Sequence, residues 1–309
     1  MDIGQKNRPP VLCVIMSTYN GAKYVEEQLD SIIGQDVDAS VTIYIRDDGS
    51  TDNTVDVLRK YAAGHSKEDI VIDRAANKGA AGSFLTAMRE CPDADIYAFS
   101  DQDDVWDEDK LRIAVDKISE YPEDVPALYY CGQRLVDQDL NLISDHTLNE
   151  KRSLKTRFLL SDFAGCTGVF NKALLDEVNK YEPGYVLMHD TWILKICLGL
   201  GGNVYIDSTS HLDYRQHKGN TLGLGRSIPA YIRQVRQYLN EYKVEPQMAE
   251  LIRGYGDRLV TPYKELAQKA CAYRLNRTYK KELLNKRNID FCSRGLNITY
   301  WLKVKLNKL

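Results

Sequence analysis

The sequence predicts an α/β protein: a mostly parallel sheet flanked by helices, followed by a helical C-terminal region. Three observations predict it. Short runs dense in Val, Ile and aromatic residues alternate with stretches whose apolar residues recur every three to four positions. From about residue 228 onward the strand-like runs give way to basic, tyrosine-rich, helical spacing. The charge also divides: residues 1–225 carry 23 Lys and Arg against 37 Asp and Glu, and residues 226–309 carry 18 against 7. Two regions of opposite charge imply two jobs, so the chain is divided between residues 225 and 226.

In chain order, residues 11–16, 41–46, 70–73 and 96–100 read as strands. Between them, residues 22–33, 54–63 and 82–90 have the spacing of amphipathic helices. Asp107, Glu108 and Asp109 open a further helix, since acidic residues favour a helix N-terminus. Residues 166–170 and 203–206 read as later strands, with helices over 172–180 and 191–200. Gly254, Gly256 and Pro262 mark a break between two C-terminal helices or hairpins.

Composition narrows the function classes. The chain is 43% hydrophobic and carries a net charge of −3, as a folded protein does. The apolar run at residues 11–16 is far short of the roughly 20 residues a membrane span needs. Residues 1–10 show no secretory signal, so an integral membrane or exported protein is disfavoured. The seven cysteines have no zinc-site spacing and read as buried free thiols in a reducing cytosol. A basic C-terminal region would suit nucleic acid, but it shows no binding motif and leaves the acidic residues unexplained. Gly79-Ala80-Ala81-Gly82 lacks the three-glycine dinucleotide fingerprint, which disfavours a dehydrogenase.

In open α/β sheets ligands bind beyond the carboxyl ends of the strands. Here those ends are Ser17-Thr18-Tyr19-Asn20, Asp47-Asp48-Gly49-Ser50-Thr51-Asp52, Asn77-Lys78-Gly79 and Asp101-Gln102-Asp103-Asp104. Carboxylates as close as those of Asp101, Asp103 and Asp104 repel one another unless a cation lies between them. Oxygen ligands suit magnesium or manganese, which also hold substrate phosphates. Capping of the next helix is the competing reading of Asp101 and Asp103. Gly49 permits a tight turn, and Ser50 or Thr51 can cap the helix that follows. An Asp at a strand end can instead accept a hydrogen bond from a base imide or a ribose hydroxyl.

Together these segments resemble the inverting nucleotide-sugar glycosyltransferases of family two, with the GT-A fold. The resemblance rests on Ser17-Thr18-Tyr19-Asn20, on Asp47-Asp48-Gly49-Ser50-Thr51-Asp52, and on the run Phe99-Ser100-Asp101-Gln102-Asp103-Asp104-Val105-Trp106 with Lys110 following. It covers about residues 10–220 and looks most like the rhamnosyltransferase branch that builds bacterial surface polysaccharides. It implies that Thr18 and Tyr19 line the nucleotide pocket and that Asp47 or Asp48 holds the base. Asp101 and Asp103 would bind the donor diphosphate through a divalent cation, Mn or Mg, with Asp103 the direct ligand. Asp190 of His189-Asp190 would be the catalytic base; a helix N-cap is its structural alternative. Lys78 lies where it could approach the nucleotide or remain solvated. Arg215 could pair with the diphosphate, and His217 could join the metal or a phosphate. The chain lacks the Gln-x-x-Arg-Trp motif of processive synthases.

The resemblance further implies an L-rhamnose donor linked to dTDP and a saccharide or polyprenyl-diphosphate-linked acceptor. A UDP-hexose donor is the alternative within enzymes, and a non-catalytic nucleotide-sugar-binding scaffold the alternative outside them. The basic region 226–309 and the lysine-leucine tail around Trp301 suit peripheral contact with the inner face of the cell membrane. A homodimer interface is the other use of those tyrosine-rich helices.

Overall fold

The computed structural model describes residues 8–66, 69–217 and 242–309. Its first half alternates as expected: β1 (Val11–Thr18), α1 (Val25–Ile33), β2 (Ser40–Asp47), α2 (Thr54–Gly64), β3 (Asp69–Arg74), α3 (Gly79–Glu90) and β4 (Ile96–Ser100). Then come β5 (Val105–Trp106), α4 (Lys110–Ile118), β6 (Ala127–Val136), β7 (Leu142–His146) and α5 (Leu154–Leu159). A 3-10 turn, Gly165–Thr167, leads into β8 (Gly168–Asn171), α6 (Lys172–Asn179), α7 (His189–Gly199) and β9 (Asn203–Arg215). The C-terminal helices are α8 (Val244–Tyr255), α9 (Thr261–Ala272), α10 (Arg277–Leu283) and α11 (Arg294–Lys305).

The strands form one sheet in the order β3-β2-β1-β4-β8-β6-β9-β5, with β7 paired to β6. Strands β3, β2, β1 and β4 run parallel. Helices cover both faces of this half, which is why its inner strands are nearly continuous apolar runs. Leu12, Val14 and Met16 of β1 face a core shared with Val25, Leu29 and Ile32 of α1. Cys13 and Ile15 face the opposite core, with Phe84, Ala87 and Met88 of α3.

Beyond β4 the sheet becomes mixed. Strand β8 runs antiparallel to β4 and to β6, β9 runs parallel to β6, and β5 closes the edge antiparallel to β9. The sequence reading lacks β5, β6 and β7, and ends β9 at residue 206. It does find the break between α8 and α9, where Pro262 stands in the first turn of α9. Met248 and Leu251 of α8 and Ala267 of α9 share the core of Trp192 and Ile193 on α7. The boundary between residues 225 and 226, and the expected onset of helix at 228, lie outside the described residues. Among the described residues no helix is long and apolar enough to cross a membrane.

Candidate active site

Strand direction decides what meets at the edge where β1, β2 and β4 end. Thr18 pairs with Asp47, and Met16 with Ser100, so three of the polar segments emerge side by side. Strand β8 runs down beside β4, which brings the preceding turn, Gly165–Thr167, to the same edge. Strand β9 runs up, and its nine residues beyond the expected end deliver Arg215 and then His217 there.

On the β1–β2 side the carboxylates are engaged within the fold. Asp47 is fully buried; it accepts from Thr18 Oγ1 at 3.0 Å, Ser50 N–H at 2.9 Å and Ser50 Oγ at 2.5 Å. Asp48 accepts from Arg46 Nη1 at 2.5 Å and from the backbone N–H groups of Lys78 and Gly79, each at 2.9 Å. Gly49 sits at φ +79°, and a Cβ there would stand 3.2 Å from Asn77 N, so the turn requires glycine. Ser50 caps no helix; α2 is opened by Asn53, and Thr54 N–H bonds to Asp52 Oδ1 at 3.0 Å. Tyr19 leaves its ring half exposed. Its backbone is clasped by Gln102: Tyr19 N–H donates to Gln102 Oε1 at 2.9 Å, and Gln102 Nε2 donates to Tyr19 O at 3.1 Å. Lys78 Nζ donates to Thr86 Oγ1 at 3.0 Å on the exposed side.

Beyond β4 the carboxylates are crowded. Ligand atoms of Asp101, Asp104 and Cys166 lie within 4.8 Å of one another. Burial, with the charges of Asp103 and Asp190, pushes the Asp101 carboxyl up to about 7. Burial and the neighbouring Asp103 and Asp101 hold Asp104 well above the usual carboxylate range. One oxygen of Asp104, Oδ2, is buried without a hydrogen bond. Lys110 lies buried below, its Nζ 3.6 Å over the Trp106 ring, and burial pushes its ammonium down to about 8.

Concentrated negative charge that the fold leaves uncompensated, presented by hard oxygen donors, fits a divalent cation such as Mg or Mn. Asp101 and Asp103 could hold it. His217 stands with Nε2 2.6 Å from Asp103 Oδ2 and stacks on Tyr24 at 5.0 Å, so it reaches the same place. Arg215 is buried, and its guanidinium is used within the fold. It donates to Asp103 O at 2.9 Å, Gln138 O at 2.6 Å and Glu27 Oε2 at 2.5 Å, and lies 4.6 Å from the Tyr24 ring centre. The loop that carries Asp103 is thereby tied to α1.

Asp190 belongs to the first turn of α7, whose N-cap is Met188. Its carboxylate accepts from Gly165 N–H at 3.1 Å and from Thr191 N–H. Burial pushes its pKa up to about 6, against those two backbone bonds and the charge of Lys195. Lys195 is buried in turn and pushed down to about 7. His189 is buried between Phe84 (3.9 Å, stacked) and Phe99 (4.7 Å, edge-on). Neither ring nitrogen has a hydrogen bond, and burial lowers its pKa to about 3, so the imidazole is neutral. The structure thus gathers Asp101, Asp103, Asp190, Arg215 and His217 at one edge, beside Thr18, Asp47 and Asp48. The sequence reading missed Gln102, Glu27, Gly165 and Lys195 as supporting residues. Lys195 carried a signal, a charge inside an apolar helix; Glu27 carried none.

Residues 13–178 match the family model described as Glycosyl transferase family 2. The match takes in the ends of β1, β2 and β4 and stops before Asp190. The chain is 30% identical over 244 residues to the dTDP-rhamnosyl transferase RfbG of Shigella flexneri, covering 74% of this chain and 80% of that one. Among solved structures it resembles the mannosyltransferase PcManGT from Pyrobaculum calidifontis in complex with GDP-Man and Mn2+. The TM-score is 0.59 at 18% identity, over 98% of this chain and 88% of that one. It also resembles S. aureus TarS residues 1–349 in complex with UDP-GlcNAc, with a TM-score of 0.54 at 17% identity over 95% and 79%. The fold is the GT-A fold of those glycosyltransferase structures. The chain belongs to glycosyl transferase family 2, as the motifs at its strand ends led us to expect.

Proposed function

We propose that this chain is a metal-dependent, inverting transferase that moves L-rhamnose from dTDP-rhamnose to a saccharide or polyprenyl-diphosphate-linked acceptor. Its place would be bacterial surface polysaccharide synthesis at the inner face of the cell membrane. The observation that carries the reading is Asp190, a buried carboxylate held by Gly165 N–H and close enough to Asp101 for its charge to raise that carboxyl. Similarity to a dTDP-rhamnosyl transferase supports the donor.

Inversion needs a base on the acceptor side and charge stabilisation on the donor side. Asp190 takes the proton of the acceptor hydroxyl as that oxygen attacks the anomeric carbon from the face opposite the diphosphate. The bond from the anomeric carbon to the phosphate oxygen breaks, and its electron pair leaves with the nucleotide. A divalent cation bound by Asp101 and Asp103, with His217 beside them, would offset the charge on that leaving group. The pyrimidine base of the donor nucleotide would rest against the β1–β2 loops, which Thr18, Asp47 and Asp48 shape from within, with the half-exposed Tyr19 beside it. Lys78 lies on the same side, and Arg215 holds Asp103 toward the diphosphate. Residues 1–225 would carry donor binding and catalysis, and residues 226–309 an accessory surface.

The test is a thermal-shift panel of nucleotide sugars with and without Mg or Mn, followed by transfer assays. A ligand at 100 times its Kd stabilises by about 2.7 kcal/mol. The expected result is a metal-dependent shift with dTDP-rhamnose that Asp103→Asn removes. Asp190→Asn should abolish transfer and keep the shift. A shift with a UDP-hexose alone would reassign the donor, and donor binding without turnover would make the chain a scaffold.

A further inference from the structure

We propose that the outward face of α11, together with the groove beside α10, docks on an anionic lipid bilayer. The assignment builds on the membrane-side reading above, but its test reads lipid binding rather than sugar transfer, so either can fail without the other.

Positions 294, 298, 301 and 305 are spaced four, three and four apart, so Arg294, Ile298, Trp301 and Lys305 share one helix face. All four are exposed. Ile298 is 51% exposed and Trp301 45%, with Leu306 just beyond the helix at 55%. Two large apolar side chains on a soluble face, flanked by two cations, are the composition of an interfacial helix. Beside them opens a groove of about 370 Å³ lined by Leu283, Leu284, Ile289, Trp301 and Leu302. Lys305 Nζ lies 5.2 Å from the centre of the Trp301 ring, so charge and ring are presented together.

The face is held and not frayed. On the opposite side of α11, Tyr300, Lys303 and Val304 are buried, and Lys303 Nζ donates to Tyr242 O at 2.5 Å.

Charge decides the occupant. Residues 277–309 carry nine Lys and Arg against two acidic residues, Glu282 and Asp290. Both acids are already paired, Glu282 with Lys269 at 2.8 Å and Asp290 with Lys286 at 3.7 Å. A second copy of the chain is a poor occupant, because a two-fold interface would set this positively charged face against the same positive face of the partner. An anionic leaflet complements the same charges and takes the Trp ring at the headgroup level.

Trp106 and Trp192 are buried, so among the three tryptophans only Trp301 can report on lipid. The experiment uses the full chain with vesicles of phosphatidylcholine, with and without phosphatidylglycerol, read by co-sedimentation and tryptophan emission. We expect sedimentation with the anionic vesicles alone and a blue shift on binding that Trp301→Ser removes. Each basic residue at such a surface is worth roughly a five-fold change in affinity. Arg294→Glu with Lys305→Glu should therefore weaken binding at least about 25-fold, and Lys305→Gln, at an exposed position that tolerates the change, about five-fold. Equal binding to both vesicles, no binding, or an unchanged emission would overturn the proposal. So would a concentration-dependent dimer in sedimentation velocity that the double variant dissolves, which would give the face to a second copy.

Discussion

Gly165→Ala perturbs the proposed base without touching it. A Cβ on Gly165 would stand 2.5 Å from His189 Nε2 and 3.0 Å from Cε1. Ordinary contact begins near 3.4 Å, so the ring or the turn must give by about 0.9 Å. The ring has nowhere to go, because Phe84 stacks on it at 3.9 Å and Phe99 meets it edge-on at 4.7 Å. Overpacking of this kind costs about 1–3 kcal/mol, a fall of roughly 1.5–5 °C in Tm for a chain of this size. The functional cost is larger. Gly165 N–H holds Asp190 Oδ2 at 3.1 Å, and His189 precedes Asp190 in the chain, so the donor and the residue that bears the carboxylate shift together. A displacement of about 1 Å in a reacting group lowers turnover by about 10²-fold. Calorimetry and initial rates measure the two effects, and the loss should fall on kcat more than on donor KM. The decisive variant adds His189→Ala, which removes the atoms struck by the new methyl group. The double variant should be more stable than the sum of the single changes by about 1 kcal/mol or more. Strict additivity, or wild-type turnover in Gly165→Ala, would refute the tight contact on which the argument rests.

Two further outcomes follow from the same geometry. Burial pushes Asp190 up to about 6, and the base works only as the carboxylate. Thus, with saturating divalent cation to keep Asp101 ionised, kcat/KM should fall tenfold per pH unit below about 6 and level off above it; an acid limb near 4 would remove Asp190 as the titrating base. Asp48→Ala leaves the buried Arg46 guanidinium without its carboxylate and the N–H groups of Lys78 and Gly79 without their acceptor. Denaturant unfolding should show a loss of about 3–5 kcal/mol, and a loss below 1 kcal/mol would show that the pair contributes little.

What the sequence shows and what it hides have physical causes. Strands β1, β2 and β4 are buried on both faces, so each is a compact apolar run bounded by polar residues, and the motifs at their ends are read with them. Strand β9 is different: past Ile206 it runs through Asp207, Ser208, Thr209 and Ser210, and its pairing with β6 shifts register around Gly132. A ladder with such breaks has no clean alternation, yet it alone explains how Arg215 and His217 arrive beside Asp103. The partner of Arg215, Glu27, lies 188 residues away, and no local pattern announces it. Gln102 was in view as the middle residue of Asp-x-Asp; its clasp on Tyr19 needs the adjacency of β1 and β4, which is a tertiary fact.

The same adjacency separates carboxylates that build the site from those proposed to act in it. Asp47 and Asp48 accept three hydrogen bonds each or more, from backbone N–H groups, hydroxyls and Arg46. Satisfied in this way, they fix the loops, and their removal should be felt as lost stability. Among the described residues no hydrogen bond reaches the Asp101 carboxylate, whose backbone carbonyl alone accepts from Ser100 Oγ at 2.9 Å, and the Asp190 carboxylate keeps only two backbone donors against its burial cost. Their raised pKa values express interaction that the fold withholds. A cation at Asp101 and an acceptor hydroxyl at Asp190 would supply it. That asymmetry, more than the count of acidic residues at the edge, is the reason to place donor activation at Asp101 and Asp103 and proton removal at Asp190.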